Sequence, residues 1–344
     1  MNMTMASSQE AKKAYALVRS LQKRFVEKLD ALTKKYGNGK YFKELTWLRD
    51  DGIHGGGSRF EARDETLFNT ASVNVSQVHY DELPEKQLKS ATAISTIIHP
   101  GNPNVPSVHI HISLTELRSK KSYWRIMADL NPSIFNEHDR EAFAKALQNL
   151  SGDYYAEGSQ QGNKYFAIPA LERTRGVSHF YLENFQTQNS DADFDFAKQF
   201  GEGIIDAYSN IIDNALASRK KISPADRAEQ LAYHTTYLFQ VLTLDRGTTA
   251  GLMVHNQNDV GIMGSLPSHI NRKLLASWSK KVPQPQDKLV NALVDAIGND
   301  GTIDILTKEK LATAVREHYK KYPEALSMQA SGNTIPSTVQ NHNR

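Results

Sequence analysis

The sequence predicts a single α+β domain in which an antiparallel sheet packs against helices. Three observations lead there: period-two alternation between about residues 59 and 129, apolar residues at 3–4 spacing on both sides of that stretch, and no internal repeat or dividing linker. The domain is expected to span residues 1–325. Residues 326–344, rich in Ser, Asn, Gln and Thr, read as a disordered tail.

A first helix from about Ser8 to Tyr36 follows from Ala14, Leu17, Val18, Leu21, Phe25 and Leu29, and the Gly37–Asn38–Gly39 cluster stops it. Residues 70–79 and 107–115 alternate apolar with polar, as half-buried strands do. An apolar strand at 92–98 is separated from the second of these by Pro100–Gly101–Asn102–Pro103–Asn104, and short loops of this kind join antiparallel strands. A helix is expected at 137–150, then strands near 163–168 and 177–183, then a helix over 192–217. Another helix at 224–233 has Ser223 as N-cap and Pro224 at its first position. Strands are expected to return at 236–244 and 250–254 around Asp245–Arg246–Gly247, with shorter helices at 268–279, 285–297 and 307–321.

Composition removes whole classes of function. The 344 residues include no cysteine, so a disulfide framework, a thiolate metal site, an iron–sulfur cluster and a Cys nucleophile are excluded. Hydrophobic content of 39% with 23% charged residues is that of a globular chain. A net charge of +3, from 41 Lys+Arg against 38 Asp+Glu, is too weak to argue for nucleic acid. The start, MNMTMASSQEAKK, has no apolar signal region, and no run approaches the roughly 18 apolar residues that would span a bilayer. A cytoplasmic location without a transmembrane segment is the expectation.

The strand at 107–115 carries the sharpest chemical signal. Val108, Ile110, Ile112 and Leu114 point to one face, so His109, His111 and Ser113 share the other. Such a pair could ligate a metal with Asp129, perform acid–base work without one, or sit hydrogen-bonded with no chemical role. Gly55–Gly56–Gly57 lacks the context of a dinucleotide loop, His54 beside it reads as a loop residue, and neither a P-loop nor a Gly-x-Ser-x-Gly elbow occurs. Glu172–Arg173–Thr174–Arg175–Gly176 reads as a carboxylate clamp or as surface charge. Arg246 reads either as part of an internally paired turn or as a ligand contact.

Several segments, taken in order, resemble the oxygen-dependent coproporphyrinogen III oxidases. The family's alternating strand ending in Ser-x-Val-His is similar to residues 71–79, and its Val-Ile-His-Pro-x-Asn-Pro run to Ile97 through Pro103, continuing to Pro106 and His109. Trp124 followed by Asp129–Leu130–Asn131–Pro132 resembles a third segment, and Arg175–Gly176 a fourth. Asp245–Arg246–Gly247–Thr248 with Gly251–Leu252, then Ser265–Leu266–Pro267, completes a colinear match over roughly residues 50–280.

This resemblance implies a large flat antiparallel sheet sandwiched between helices, a cleft between the two, and a homodimer. It implies O2-dependent oxidative decarboxylation of porphyrinogen propionates to vinyls, coproporphyrinogen III to protoporphyrinogen IX in haem biosynthesis, or of a related electron-rich substrate. O2 is the co-substrate and no cofactor or metal is implied. Asp129 would face a pyrrole and His109 would act as acid–base or orienting residue. Ser76, with Asn74 on the same face, would contact substrate, and Arg175 and Arg246 would hold propionates or shape the cleft. Two alternatives remain: a metal-dependent oxygenase using His109 and His111, and a non-catalytic tetrapyrrole-binding relative.

Departures from the family pattern concentrate in the same cleft. His-x-Asn-x-Arg becomes His109–Ile110–His111–Ile112–Ser113, and three glycines before the aspartate become Arg125–Ile126–Met127. A paired-Arg motif reads Thr174–Arg175, Phe-Asp-Asp reads Leu182–Glu183–Asn184, and Glu-Phe-Asn reads Phe239–Gln240–Val241. His111 thus stands as a substrate-contact candidate, and Arg125 would compensate for a lost cation if its side chain reaches the cleft.

Overall fold

The computed structural model describes residues 3–119, 121–254 and 259–332. Helix α1 (Gln9–Tyr36) begins where the Ser8 hydroxyl accepts from the Ala11 amide, and ends at Gly37. The alternating stretch then folds as β1 (Lys43–Leu48), β2 (Gly55–Glu61), β3 (Phe68–His79), β4 (Leu88–Pro100), β5 (Ser107–Leu117) and β6 (Ser122–Asn131), each antiparallel to its predecessor. Two helices follow, α2 (Glu137–Ser151) and α3 (Tyr155–Tyr165). A short pair, β7 (Ala167–Ile168) and β8 (Arg173–Thr174), leads into β9 (Ser178–Phe185), which joins β6 antiparallel. Among the described residues this gives a seven-stranded sheet in the order β1-β2-β3-β4-β5-β6-β9. The rest is helical: α4 (Ser190–Ser218), α5 (Pro224–Thr243), α6 (Arg246–Val254), α7 (Asp259–Ile262), α8 (Arg272–Ser277), α9 (Gln286–Ala296) and α10 (Ile305–Lys321).

Helices cover both faces, and the period of two decides which side chain faces which layer. Val73 and Val75, Ile94 and Ile98, Ile110 and Ile112 point to one face, where they form one core with the apolar stripes of α1 and α4. The opposite face packs through Ile97 against a second core built by α5, α6 and α8–α10. The polar halves of β3–β6 therefore look toward the second helical layer, and the site lies there.

Three expectations need correction. Residues 163–168 are the end of α3 followed by the short β7, not one strand. The expected strands at 236–244 and 250–254 are helical: the helix expected at 224–233 continues to Thr243 as α5, and α6 follows one turn later. From Tyr233 to Thr243 every residue of α5 is buried, so the helix has no polar face to reveal its period. Its threonines also resemble strand composition, yet Thr235, Thr236 and Thr243 donate back to carbonyls four residues earlier and so satisfy themselves within the helix. Third, the tail expected from 326 is ordered at its start, where Ala330 bonds through its amide to the Leu244 carbonyl and through its own carbonyl to Arg246. Residues 333–344 of that expectation lie outside the described residues.

Candidate active site

Antiparallel register sets the polar residues of the second face in three rows across the sheet. Ser72, Ile97, His109, Asp129 and His179 are successive partners in the first, and Asn74, Ser95, His111, Met127 and Tyr181 in the second. Ser76, Ala93, Ser113 and Arg125 form the third. A cavity of about 270 Å³ lies over these rows, roofed by Tyr237 and Val241 of α5 and by Gly247, Thr248 and Gly251 of α6. Asn74, Ser76, His109, His111, Arg125 and Arg175 all line it.

Asp129 does not line the cavity. It is 0% exposed, and both carboxylate oxygens are spent on protein groups. His109 Nδ1 lies 3.0 Å from Oδ1, while Arg175 Nη2 and Asn131 Nδ2 donate to Oδ2 at 2.8 and 2.6 Å. Burial alone would raise its pKa, but the Arg175 charge and the His109 hydrogen bond overcome this and hold it well below the usual carboxylate range. Asp129 is therefore a permanent anion behind His109, not a group at the cavity surface.

His109 stands between this anion and the cavity. Arg175 Nη2 is also 3.1 Å from His109 Nδ1, and the Nδ1 proton is best assigned to the bond with the carboxylate. That tautomer leaves Nε2, which has no protein partner among the described residues, with its lone pair. The arrangement can orient an imidazole for proton transfer at the cavity wall.

Arg175 is buried by design of its loop. Gly176 has φ +79°, and a Cβ there would fall 2.6 Å from the Leu130 carbonyl oxygen, so glycine is needed for the chain to turn this close to the sheet. The guanidinium donates to Gln240 Oε1 at 2.6 Å and lies over the rings of Phe166 and Tyr237. Desolvation opposes its charge, but Asp129 more than compensates and its pKa is raised.

Arg125 reaches the cavity from β6, held by Glu183 Oε1 at 2.8 and 3.0 Å. Here too burial opposes the charge and the carboxylate partner restores it. His111 is enclosed by hydroxyls, with Nδ1 2.6 Å from Ser95 Oγ and Nε2 2.9 Å from Ser113 Oγ. Burial, then the charges of Arg125 and His109, push its pKa well down, so it is neutral. Asn74 accepts from Trp47 Nε1 at 3.3 Å.

Arg246 is not brought to the cavity. Its Nε donates to the Ala330 carbonyl at 3.0 Å, and the neighbouring Asp245, Gly247 and Thr248 line the site instead. Asp245 opens α6 by accepting from the Thr248 amide at 2.6 Å and also accepts from Tyr165 Oη at 2.8 Å. His54 lies between Asp50 and Glu82, away from this cavity.

Sequence reasoning missed Ser95, Tyr165, Tyr237 and Asp245 as lining residues. Ser95 was within reach, since it shares its strand face with Ile97 and His99. Tyr165 and Tyr237 carry no signal in the sequence, because the segments that hold them have strand-like composition and yet are helical. Glu183 stood out only as a departure from the family pattern, and its structural role is to neutralise the arginine that is another departure.

The pattern described as coproporphyrinogen III oxidase matches residues 13–296. The chain belongs to that family. Two curated relatives, both named oxygen-dependent coproporphyrinogen-III oxidase, are similar at modest identity. The Drosophila melanogaster protein is 27% identical over 277 residues, 74% of this chain and 69% of its own length. That of Rickettsia akari (strain Hartford) is 29% identical over 247 residues, 67% of this chain and 84% of its own length. The coproporphyrinogen III oxidase family is one of oxidoreductases, and the α+β fold with its antiparallel sheet accords with membership. No helix among the described residues is long and apolar enough to cross a membrane. Nor do three His, Asp or Glu side chains converge as metal ligands among them.

Proposed function

We propose that this chain catalyses O2-dependent oxidative decarboxylation of a porphyrinogen propionate, the coproporphyrinogen oxidase reaction of haem biosynthesis or a close variant of it. The observation that carries this reading is the His109–Asp129–Arg175 array at the wall of the cavity in a chain of this family. The balance is simple: a propionate, as its acid, plus O2 yields a vinyl group, CO2 and hydrogen peroxide. The two electrons leave the substrate, so the electron-rich porphyrinogen can reduce O2 with no cofactor between them.

His109 is the acid–base residue in this reading, because its Nε2 is the titratable atom of the array left for the cavity. It takes a proton from the substrate as CO2 departs and returns it toward the reduced oxygen. Asp129 is a positioning residue: its fixed charge holds the imidazole tautomer and stabilises the imidazolium that forms. Arg175 in turn keeps Asp129 ionised. Ser76, Asn74 and His111 are substrate-contact residues, and a homodimer remains part of the proposal.

The test is an aerobic assay of metal-stripped protein with propionate-bearing porphyrinogens, coproporphyrinogen III among them, following O2 uptake, CO2 and product mass. Vinyl product with equimolar CO2 supports the reading. Well-folded protein that consumes no O2 with any of them, or does so only after iron is added, overturns it. In the second case the oxygenase alternative, with His109 and His111, becomes the better account.

A further inference from the structure

The polar rows under the cavity continue beyond it onto β2. Arg59 on that strand is the register partner of Asn74, and Glu61 that of Ser72, so both share the cavity face. Neighbouring strands lie about 4.8 Å apart, which puts Arg59 one step outside the lining residues Ser72 and Asn74. Its side chain is only 8% exposed. Gly264, just before the lining residue Ser265, packs over it. A Cβ at Gly264 would stand 3.7 Å from both Arg59 Nε and Ser72 Oγ. Arg59 is thus buried against the β2 edge of the cavity, beside its polar wall.

Part of this guanidinium is left over. Nε donates to Glu61 Oε1 at 2.7 Å, while Nη1 and Nη2 have no acceptor among the described residues. Arg175, by contrast, spends all three nitrogens on Asp129 and Gln240. Arg125 gives Nε and Nη2 to Glu183, and Arg246 lies within electrostatic reach of that pair, on the opposite side of the cavity from Arg59. Charge is also unbalanced around Glu61. Arg63 Nη2 stands 3.3 Å from its Oε2, and Lys308 of α10 is within electrostatic reach of Glu61 and Arg59. Burial lowers the Lys308 pKa, and Glu61 opposes that. Arg59, Arg63 and Lys308 thus share one carboxylate. A second carboxylate would fill the open fork of Arg59 and relieve the repulsion among the cations, without taking a partner from any buried anion.

We propose that Arg59, together with Lys308, forms a second acid-binding site at the β2 edge of the cavity. It takes a substrate carboxylate other than the one lost as CO2. The inference rests on the functional reading above for its substrate, a pyrrolic macrocycle bearing several propionates. With the leaving propionate at His109, the ring covers Asn74 and Ser95, and a further acid arm passes Ser72 to the Arg59 fork. Lys308 lies outside residues 13–296, which carry the family match, so one half of this anchor comes from beyond the matched region.

Equilibrium binding of coproporphyrin III to the full chain, read by fluorescence, tests the site without turnover. Arg59→Gln is expected to raise Kd about tenfold and Lys308→Gln about threefold, while Arg59→Lys, which keeps a cation, loses less than Arg59→Gln. Lys308 is half-buried on α10, so its variant reads the site even where loss of Arg59 unfolds the sheet edge. Gly264→Val, which puts a side chain between Ser72 and Arg59, should weaken binding with no change of charge. Added salt should weaken binding by the parent more than by Arg59→Gln, since the variant has lost a charge contact. With the reduced compound, KM should rise with Kd while kcat falls less, because the site holds substrate and transition state alike. Unchanged Kd in either folded charge variant overturns the proposal, as does equal loss in Arg59→Lys and Arg59→Gln with the salt dependence of the parent. Parallel O2 uptake keeps the two readings apart. The expected binding pattern with no O2 uptake sinks only the reaction, and O2 uptake with a Kd indifferent to Arg59 and Lys308 sinks only this site.

Discussion

His109 on β5 and Asp129 on β6 are direct partners across the antiparallel pair, with Nδ1 3.0 Å from Oδ1. Residues directly opposite in an antiparallel ladder stand close enough for side-chain contact, so the sheet register itself makes the pair. Asp129 is then locked by Arg175 and Asn131, which fixes the imidazole against a charge that cannot titrate near neutrality.

Asp129→Asn should lower kcat by at least about 100-fold, because the amide no longer selects the His109 tautomer or stabilises its charged form. It should also cost about 3 kcal/mol of stability, since Arg175 is left buried without its carboxylate. Steady-state kinetics and urea unfolding on the same preparation check both. A folded variant with unaltered kcat would remove the positioning role.

His111→Asn should leave a folded enzyme with kcat within about tenfold of the parent. The shorter amide can keep one hydroxyl partner, and one lost hydrogen bond is worth about 1 kcal/mol. A larger change should appear in KM, because His111 lines the cavity without touching the His109–Asp129 pair. Loss of stoichiometric bound metal in this variant would favour the oxygenase alternative instead.

Stability should fall on acidification from about pH 6.5 toward 4 through His234. Burial, with the nearby His269 charge adding to it against a backbone hydrogen bond, pushes its pKa down to about 4. The unfolded chain binds this proton first, so the neutral buried ring contributes stability that is present above about pH 6.5 and lost as pH falls, by about 3 kcal/mol in all. Burial also drives His99 and His111 well down, which adds to the same slope. Urea midpoints at several pH values should show His234→Gln losing less stability on acidification than the parent. An identical slope would contradict the assignment.

Gly158→Ala should destabilise by about 1–3 kcal/mol with little effect on substrate affinity. A Cβ there would lie 2.2 Å from the Phe180 ring, where α3 packs on β9 and the core has no room to yield. Thermal unfolding measures it. An unchanged Tm would mean that this contact relaxes freely.

Much of this architecture was legible because the sheet is half-buried. Alternation in TASVNVSQVH and SVHIHISLT separates core valines and isoleucines from the polar rows, and it placed Asn74, Ser76, His109 and His111 on one face. What period cannot show is depth along that face. The motifs point to Asp129 and Arg175 as cavity groups, but their mutual attraction withdraws the carboxylate from the surface. Helix α5 was illegible for a different reason, being buried all round with β-branched and aromatic residues. With it went Tyr237 and the roof of the site. Arg246 belonged to a matching motif, yet the motif's work falls to Asp245, which opens a helix where a hairpin turn was expected.

In the proposed reaction His109, held by Asp129, transfers the proton in an oxidation that needs O2 and no metal. The most direct measurement is O2 uptake and CO2 release by metal-stripped protein, compared with His109→Gln and Asp129→Asn over a range of pH. Equimolar uptake and release are expected in the parent, both abolished in His109→Gln and strongly reduced in Asp129→Asn. Undiminished turnover in His109→Gln, or activity that returns only with added iron, would contradict it.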